Sequence, residues 1–170
     1  MPSGLLISLL FLGDGAGPAP SSAQFARPIS DITNSDHWLT DSGSSINLWD
    51  AINETALSTS DYIQSSAGLS SAIYVTALTT TIQDPATSAG HIIRYVYRKD
   101  SSGAAQINLT VELRQDYVSE ASLGTLIWTT NHTNIVSSVQ STAAVTLLAA
   151  EADAITAYSS LYLRFISNQI

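Results

Sequence analysis

Cysteine is missing from this chain, charged residues are scarce, and no apolar run is long enough to cross a bilayer. Without cysteine there is no disulfide, no thiolate nucleophile and no Cys-ligated zinc, so stability has to come from packing. Asp, Glu, Lys and Arg make up 12% of the 170 residues, about half of what an average soluble domain carries. Ser, Thr, Ala and Asn take their place and make a neutral, hydroxyl-rich surface of the kind common in secreted, surface and virion β-proteins. Only 6 residues are basic against 14 acidic, for a net charge of −8. Phosphate backbones are gripped by clustered Lys and Arg, so nucleic acid is not an expected partner. One domain with a full core is expected, since 45% of the chain is hydrophobic and the length is short for two.

What is present is alternation. From Ala105 to Leu113 the apolar residues Ala105, Ile107, Leu109, Val111 and Leu113 interleave with Gln106, Asn108, Thr110 and Glu112. Successive side chains of a strand point to opposite faces, so this pattern means one face on a core and one in water, as in an antiparallel sheet. Further β-prone runs recur between turn signals at 61–65, 72–80, 91–99, 125–130, 143–148 and 161–167. The rhythm is that of an all-β protein, a sandwich or barrel. Asp100-Ser101-Ser102-Gly103 is a short Gly-containing connection, from which a hairpin between 91–99 and 105–114 is expected. Ala149–Tyr158, Ala-rich with early acidic residues, is expected to form a short helical turn. Asn47–Glu54 is either a second one or an irregular edge segment.

Gly4–Leu12 reads GLLISLLFL, far short of the roughly 20 residues of a membrane-spanning helix. The segment Gly13–Pro20, GDGAGPAP, detaches it from the body of the chain. An apolar run must be buried somewhere. Residues 1–26 are therefore expected to be an apolar arm and linker ahead of a β-sandwich domain, 27–170, with Leu5, Leu6, Ile7, Leu9, Leu10, Phe11 and Leu12 as candidate subunit-contact residues. A first strand of the same domain is the alternative. A signal peptide is a third reading, which lacks the usual positive n-region because Arg27 is the first basic residue.

Four of the six basic residues, Arg94, Arg98, Lys99 and Arg114, fall on the expected hairpin, and Arg164 lies on the last strand. Arg94, Arg98, Arg114 and Arg164 form a candidate charged contact face; plain cross-strand pairing with Glu112 and Asp100 is the alternative. Asp31, Asn34, Asp36, Asp41 and Asp50 crowd one segment but match no calcium-loop spacing, and Asx residues also build turns. His37, His91 and His132 fit no zinc pattern, and no G-x-S-x-G elbow occurs. Trp38, Trp49 and Trp128 either stack on sugar rings or plug the core. Asn53, Asn108 and Asn131 begin N-glycosylation triplets of the sort a Thr-rich chain produces by chance. No cofactor, metal site or enzymatic activity is expected from these residues.

The order ARPISDITNSDHWLTDSGSSINLWDAINE, Ser60-Asp61-Tyr62-Ile63-Gln64, then Gly90–Lys99 with Arg94-Tyr95-Val96-Tyr97-Arg98, and finally Leu161-Tyr162-Leu163-Arg164-Phe165 resembles small β-sandwich structural proteins of tailed bacteriophages. The likeness spans Ala26 to Phe165 and leaves out the apolar run. It implies a jelly-roll-like virion component, a capsid decoration or tail-associated protein that binds copies of itself and a capsid or tail lattice. The competing expectation is a carbohydrate-binding jelly roll of a secreted or surface protein, recognising glycans through its aromatic residues.

Overall fold

Alternation puts Leu109, Val111 and Leu113 on one face of the strand Ile107–Gln115, and all three are buried. Strand Leu161–Gln169 answers them: Leu163 pairs with Leu113 and Phe165 with Val111, so Leu161, Leu163 and Phe165 share that face and are buried as well. The computed structural model describes residues 4–11, 23–35, 37–54, 60–66, 71–99, 106–135 and 140–170, of which 4–11 and 140–144 are described by their backbone. In chain order the strands are β1 (Gly4–Phe11), β2 (Pro28–Asn34), β3 (Trp38–Thr40), β4 (Ile63–Ser65), β5 (Ala72–Leu78), β6 (His91–Tyr97), β7 (Ile107–Gln115), β8 (Thr125–His132), β9 (Gln140–Thr146) and β10 (Leu161–Gln169).

They make two five-stranded sheets, β3-β4-β1-β6-β9 and β2-β5-β10-β7-β8, every pairing antiparallel. The fold is the all-β antiparallel sandwich expected from the alternation. The chain crosses between sheets at every connection except β3–β4 and β7–β8, and the last strand inserts between β5 and β7. Between the sheets, Trp38 of β3 meets Tyr74 of β5 and Phe165 of β10, with ring centroids 6.3 and 6.5 Å apart, and Tyr74 stacks on Phe165 at 6.1 Å. Such offset and tilted contacts suit aromatic quadrupoles and add to the burial of large apolar area. Ser65 Oγ of β4 donates to Ser167 Oγ of β10 at 3.0 Å, tying the sheets at the rim of this core.

Helix is confined to short turns. A 3₁₀ turn at Leu48–Ile52 settles the open choice for that segment, and its start is held by the Asp31 carboxylate, which accepts from Leu48 N and Trp49 N at 3.0 and 2.9 Å. The expected helical turn divides into α1 (Ala149–Asp153) and a 3₁₀ turn at Tyr158–Ser160. Glu151 accepts from Leu148 N at 2.7 Å, the place where an early acidic residue satisfies a helix's orphan donors.

Two expectations need revision. β6 and β7 do not form a hairpin; β6 pairs with β1 and β9, whereas β7 pairs with β10 and β8 in the opposite sheet. A Gly-containing turn signal marks a reversal of direction and is silent on whether the two strands lie side by side or face to face. Here Ile93 and Tyr95 join Leu109 and Val111 in one core, so the two strands face each other from opposite sheets; residues 100–103 lie outside the described residues. The apolar run, in turn, is a strand of the first sheet. β1 pairs with β6 from Leu5↔Tyr97 to Phe11↔His91 and with β4 at Gly4↔Gln64 and Leu5↔Ile63. This is the first-strand alternative, and β1 lies inside the sheet instead of standing apart from 27–170; Leu12 lies outside the described residues.

Phe165→Ala removes the ring that both Trp38 and Tyr74 contact. The expected loss of unfolding free energy is about 3–5 kcal/mol by chemical denaturation; a loss under about 1 kcal/mol would mean that the sheets are not held together through this cluster.

Candidate functional site

Of the four candidate cations, the fold brings two together. Arg164 on β10 is the register partner of Glu112 on β7, so their side chains share the face of the second sheet turned away from the core. Arg164 Nη1 lies 3.0 Å from Glu112 Oε2, and Arg114 Nε lies 2.7 Å from the same oxygen. Arg94 and Arg98 are exposed on or just beyond β6, in the other sheet. The expected single charged face therefore does not form, because β6 and β7, which a hairpin would have joined, lie in different sheets.

The second carboxylate comes from the loop between β7 and β8. Glu120 takes Arg164 in a two-point grip, Nε to Oε1 at 2.9 Å and Nη2 to Oε2 at 2.5 Å. Tyr117 Oη donates to Glu120 Oε1 at 2.9 Å, and the Thr33 hydroxyl of β2 completes the chain at 3.0 Å from Tyr117 Oη. Arg114 Nη1 donates to the carbonyl of Leu123 at 3.2 Å. The loop is folded down over the sheet, which is why Glu112, Arg114 and Arg164 are buried although they face outward.

Two backbone features let it do so. Asp116 leaves β7 at φ 58 and Gly124 returns at φ 65. At Gly124 a Cβ would collide with the backbone of Gln115 and Asp116, so only glycine fits. A Ser119–Ser122 bridge closes the tip and leaves Val118, 73% exposed, pointing into solvent.

Electrostatically the network is closed: two guanidiniums meet two carboxylates, and each charge has an opposite partner. Hydrogen bonding from the Arg164 guanidinium holds the Glu120 carboxyl below the usual carboxylate range, against the opposing effect of burial. Such an arrangement fixes a loop in one place. It presents no carboxyl paired with a nucleophile.

A second polar cluster ties the sheets at the opposite end of β8. His132 Nε2 lies 2.6 Å from Tyr95 Oη, and its Nδ1 lies 2.8 Å from Tyr97 Oη. Neutral imidazole suits this bridge, with one nitrogen donating to a phenol oxygen and the other accepting from a phenol O–H. Burial pushes the His132 pKa down, in keeping with that state. His91 is likewise buried, 2.7 Å from Tyr158 Oη, and burial lowers its pKa too. Near the start of the domain Arg27 donates to the carbonyls of Asn53 and Glu54. The Glu54 carboxyl is pushed up to about 7, first by burial and then by Asp61 and Asp50.

Two residues of the acidic segment take structural places. Asp31 caps the 3₁₀ turn and accepts from Tyr74 Oη at 2.7 Å, while Asn34 bonds Trp38 N and O and Ser45 O across a turn; Asp36 lies outside the described residues. Among the described residues no group of three His, Asp or Glu side chains could hold a metal ion, and no helix is long and apolar enough to cross a membrane. Trp38 and Trp128 are buried in the core. Glu120 and Tyr117 were not among the sequence candidates, and His132, weighed there only as a metal ligand, instead bridges Tyr95 and Tyr97. The groups of each cluster come from different elements and meet through the fold. Compared with protein-family models, curated proteins and solved structures, the chain matches none.

The lowered Glu120 pKa fixes the sign of a pH effect. Its contribution is complete above the ordinary value of 4.5 and is lost as pH falls through the folded-state value. Glu120→Gln is therefore expected to be less stable than the native chain near neutral pH, with the difference shrinking as pH drops below 4.5; a pH-independent difference in denaturation midpoints would contradict the ion pair.

Proposed function

We propose that this chain is a structural component of a tailed-phage particle, a jelly-roll-like sandwich that decorates or cements the capsid or forms part of the tail surface. It binds other copies of itself and a capsid or tail protein lattice. One observation carries the reading. Glu112, Arg114 and Arg164 of the second sheet are turned under a loop and satisfied there, whereas among the described residues the large apolar side chains left to solvent are, Phe25 apart, aliphatic: Ile29, Ile32, Ile46, Val118, Leu126, Leu148 and Ile170. Aliphatic side chains on loops and edges can make small apolar contacts, whose combined strength grows with the number of linked copies.

Edge strand β2 fits that role. The two residues skipped in its register with β5, Ile29 and Ile32, are both exposed. The bulges spoil the edge as a template for indiscriminate strand addition while displaying apolar side chains. The rival glycan-binding reading needs exposed aromatic platforms, and burial of Trp38 and Trp128 removes two of its three tryptophans. This favours the lattice reading, with the virion as the place of action.

Native mass spectrometry and electron microscopy test it. Discrete oligomers, or ordered copies on a capsid or tail, are the expected result. A strict monomer at all concentrations that binds a glycan array would contradict it.

A further inference from the structure

The first sheet depends on β1. Its order is β3-β4-β1-β6-β9, so β1 is the strand that joins the pair β3–β4 to the pair β6–β9. Without β1, the side of β6 from His91 to Tyr97 would present an open ladder of backbone donors and acceptors beside the core, and unpaired buried backbone groups are not tolerated. The slot between β4 and β6 must hold a strand. Nothing in the pairing, however, requires that strand to belong to the same chain. The register from Leu5↔Tyr97 to Phe11↔His91 is the same whichever copy supplies residues 4–11.

The connection allows either source. The chain is fixed to the domain again at Gln24, whose side chain donates to Gln83 O at 2.9 Å and accepts from Gln83 N at 2.8 Å. Residues 12–23, which include GDGAGPAP, span up to about 40 Å when extended. A domain of this size has a radius of gyration of about 15 Å, so the reach covers a neighbour's slot. Exchange of an identical element preserves every native contact, which makes it a low-cost way to link copies.

We propose that in the assembled state the slot between β4 and β6 is filled by residues 4–11 of a second copy of this chain, so that each subunit completes the sheet of its neighbour. The proposal rests on the lattice reading and names the contact through which copies are joined.

The absence of cysteine makes the test clean. Ser8 and Arg94 are register partners on β1 and β6. The double variant S8C/R94C is assembled, mildly oxidised and run on a denaturing gel without reductant. T110C/N131C, a register pair within the hairpin β7–β8, serves as the control that closes inside one chain. The expected result is reductant-sensitive dimers and higher multiples from S8C/R94C and single chains from the control. A second experiment assembles S8C chains together with R94C chains, and strand exchange predicts a mixed disulfide. Closure of S8C/R94C within single chains overturns the proposal, and so does failure to form any disulfide while the control forms one. Should native mass show oligomers while S8C/R94C closes within the chain, exchange falls and the lattice reading stands; if only monomers appear, both fall.

Discussion

The structure depends on one packing constraint: two sheets, each apolar on one face, must bury those faces against each other through Trp38, Tyr74 and Phe165. With no disulfide available, the cohesion of this sandwich is hydrophobic and dispersive. β10 carries much of the load, since Leu161, Leu163 and Phe165 are buried at the centre of the second sheet and its backbone pairs on both sides, with β5 and β7. Because β10 is the last strand, that sheet is completed only when the far end of the chain returns. Contacts of such sequence separation are slow to form.

Around this core the scarce charges are used to fix geometry. Glu112, Arg114, Arg164 and Glu120 hold the β7–β8 loop onto the outer face of the second sheet, and Asp31 ties the 3₁₀ turn to Tyr74 of β5. A buried pair of this kind is weak evidence for net stability, because desolvation offsets much of the attraction. Its physical effect here is positional: Val118 is exposed to solvent on a loop tied to the sheet by the grip of Glu120 on Arg164 and closed at Gly124, where only glycine fits.

Much of the fold was legible where side chains alternate. Ala105–Leu113 and Leu161–Phe165 signalled half-buried strands, and Ile107–Leu113 pairs with Leu163–Gln169 in the second sheet. β2 left no such signal, because Ile29 and Ile32 sit at bulges and point outward, out of step with a two-residue period. β3 is only three residues long. The partner of β6 was illegible for a different reason: a turn signal in the sequence at 100–103 does not say whether the flanking strands pair, and here Ile93 and Tyr95 pack against the opposite sheet. The same choice decided the charged site. Arg114, Arg164 and Glu112 were visible as charged residues of two expected strands, though grouped with Arg94 and Arg98 on a face that does not form, whereas Glu120 and Tyr117 join them through a loop whose path no local pattern specifies.

Hydrogen exchange monitored along the chain tests the central claim most directly, because it reports the free energy needed to open each strand. If the sandwich is held by the core around Phe165, amides of β10 and its partners β5 and β7 exchange last and together, with protection matching the global unfolding free energy. Exchange of β10 as fast as the edge strand β8 would contradict the account.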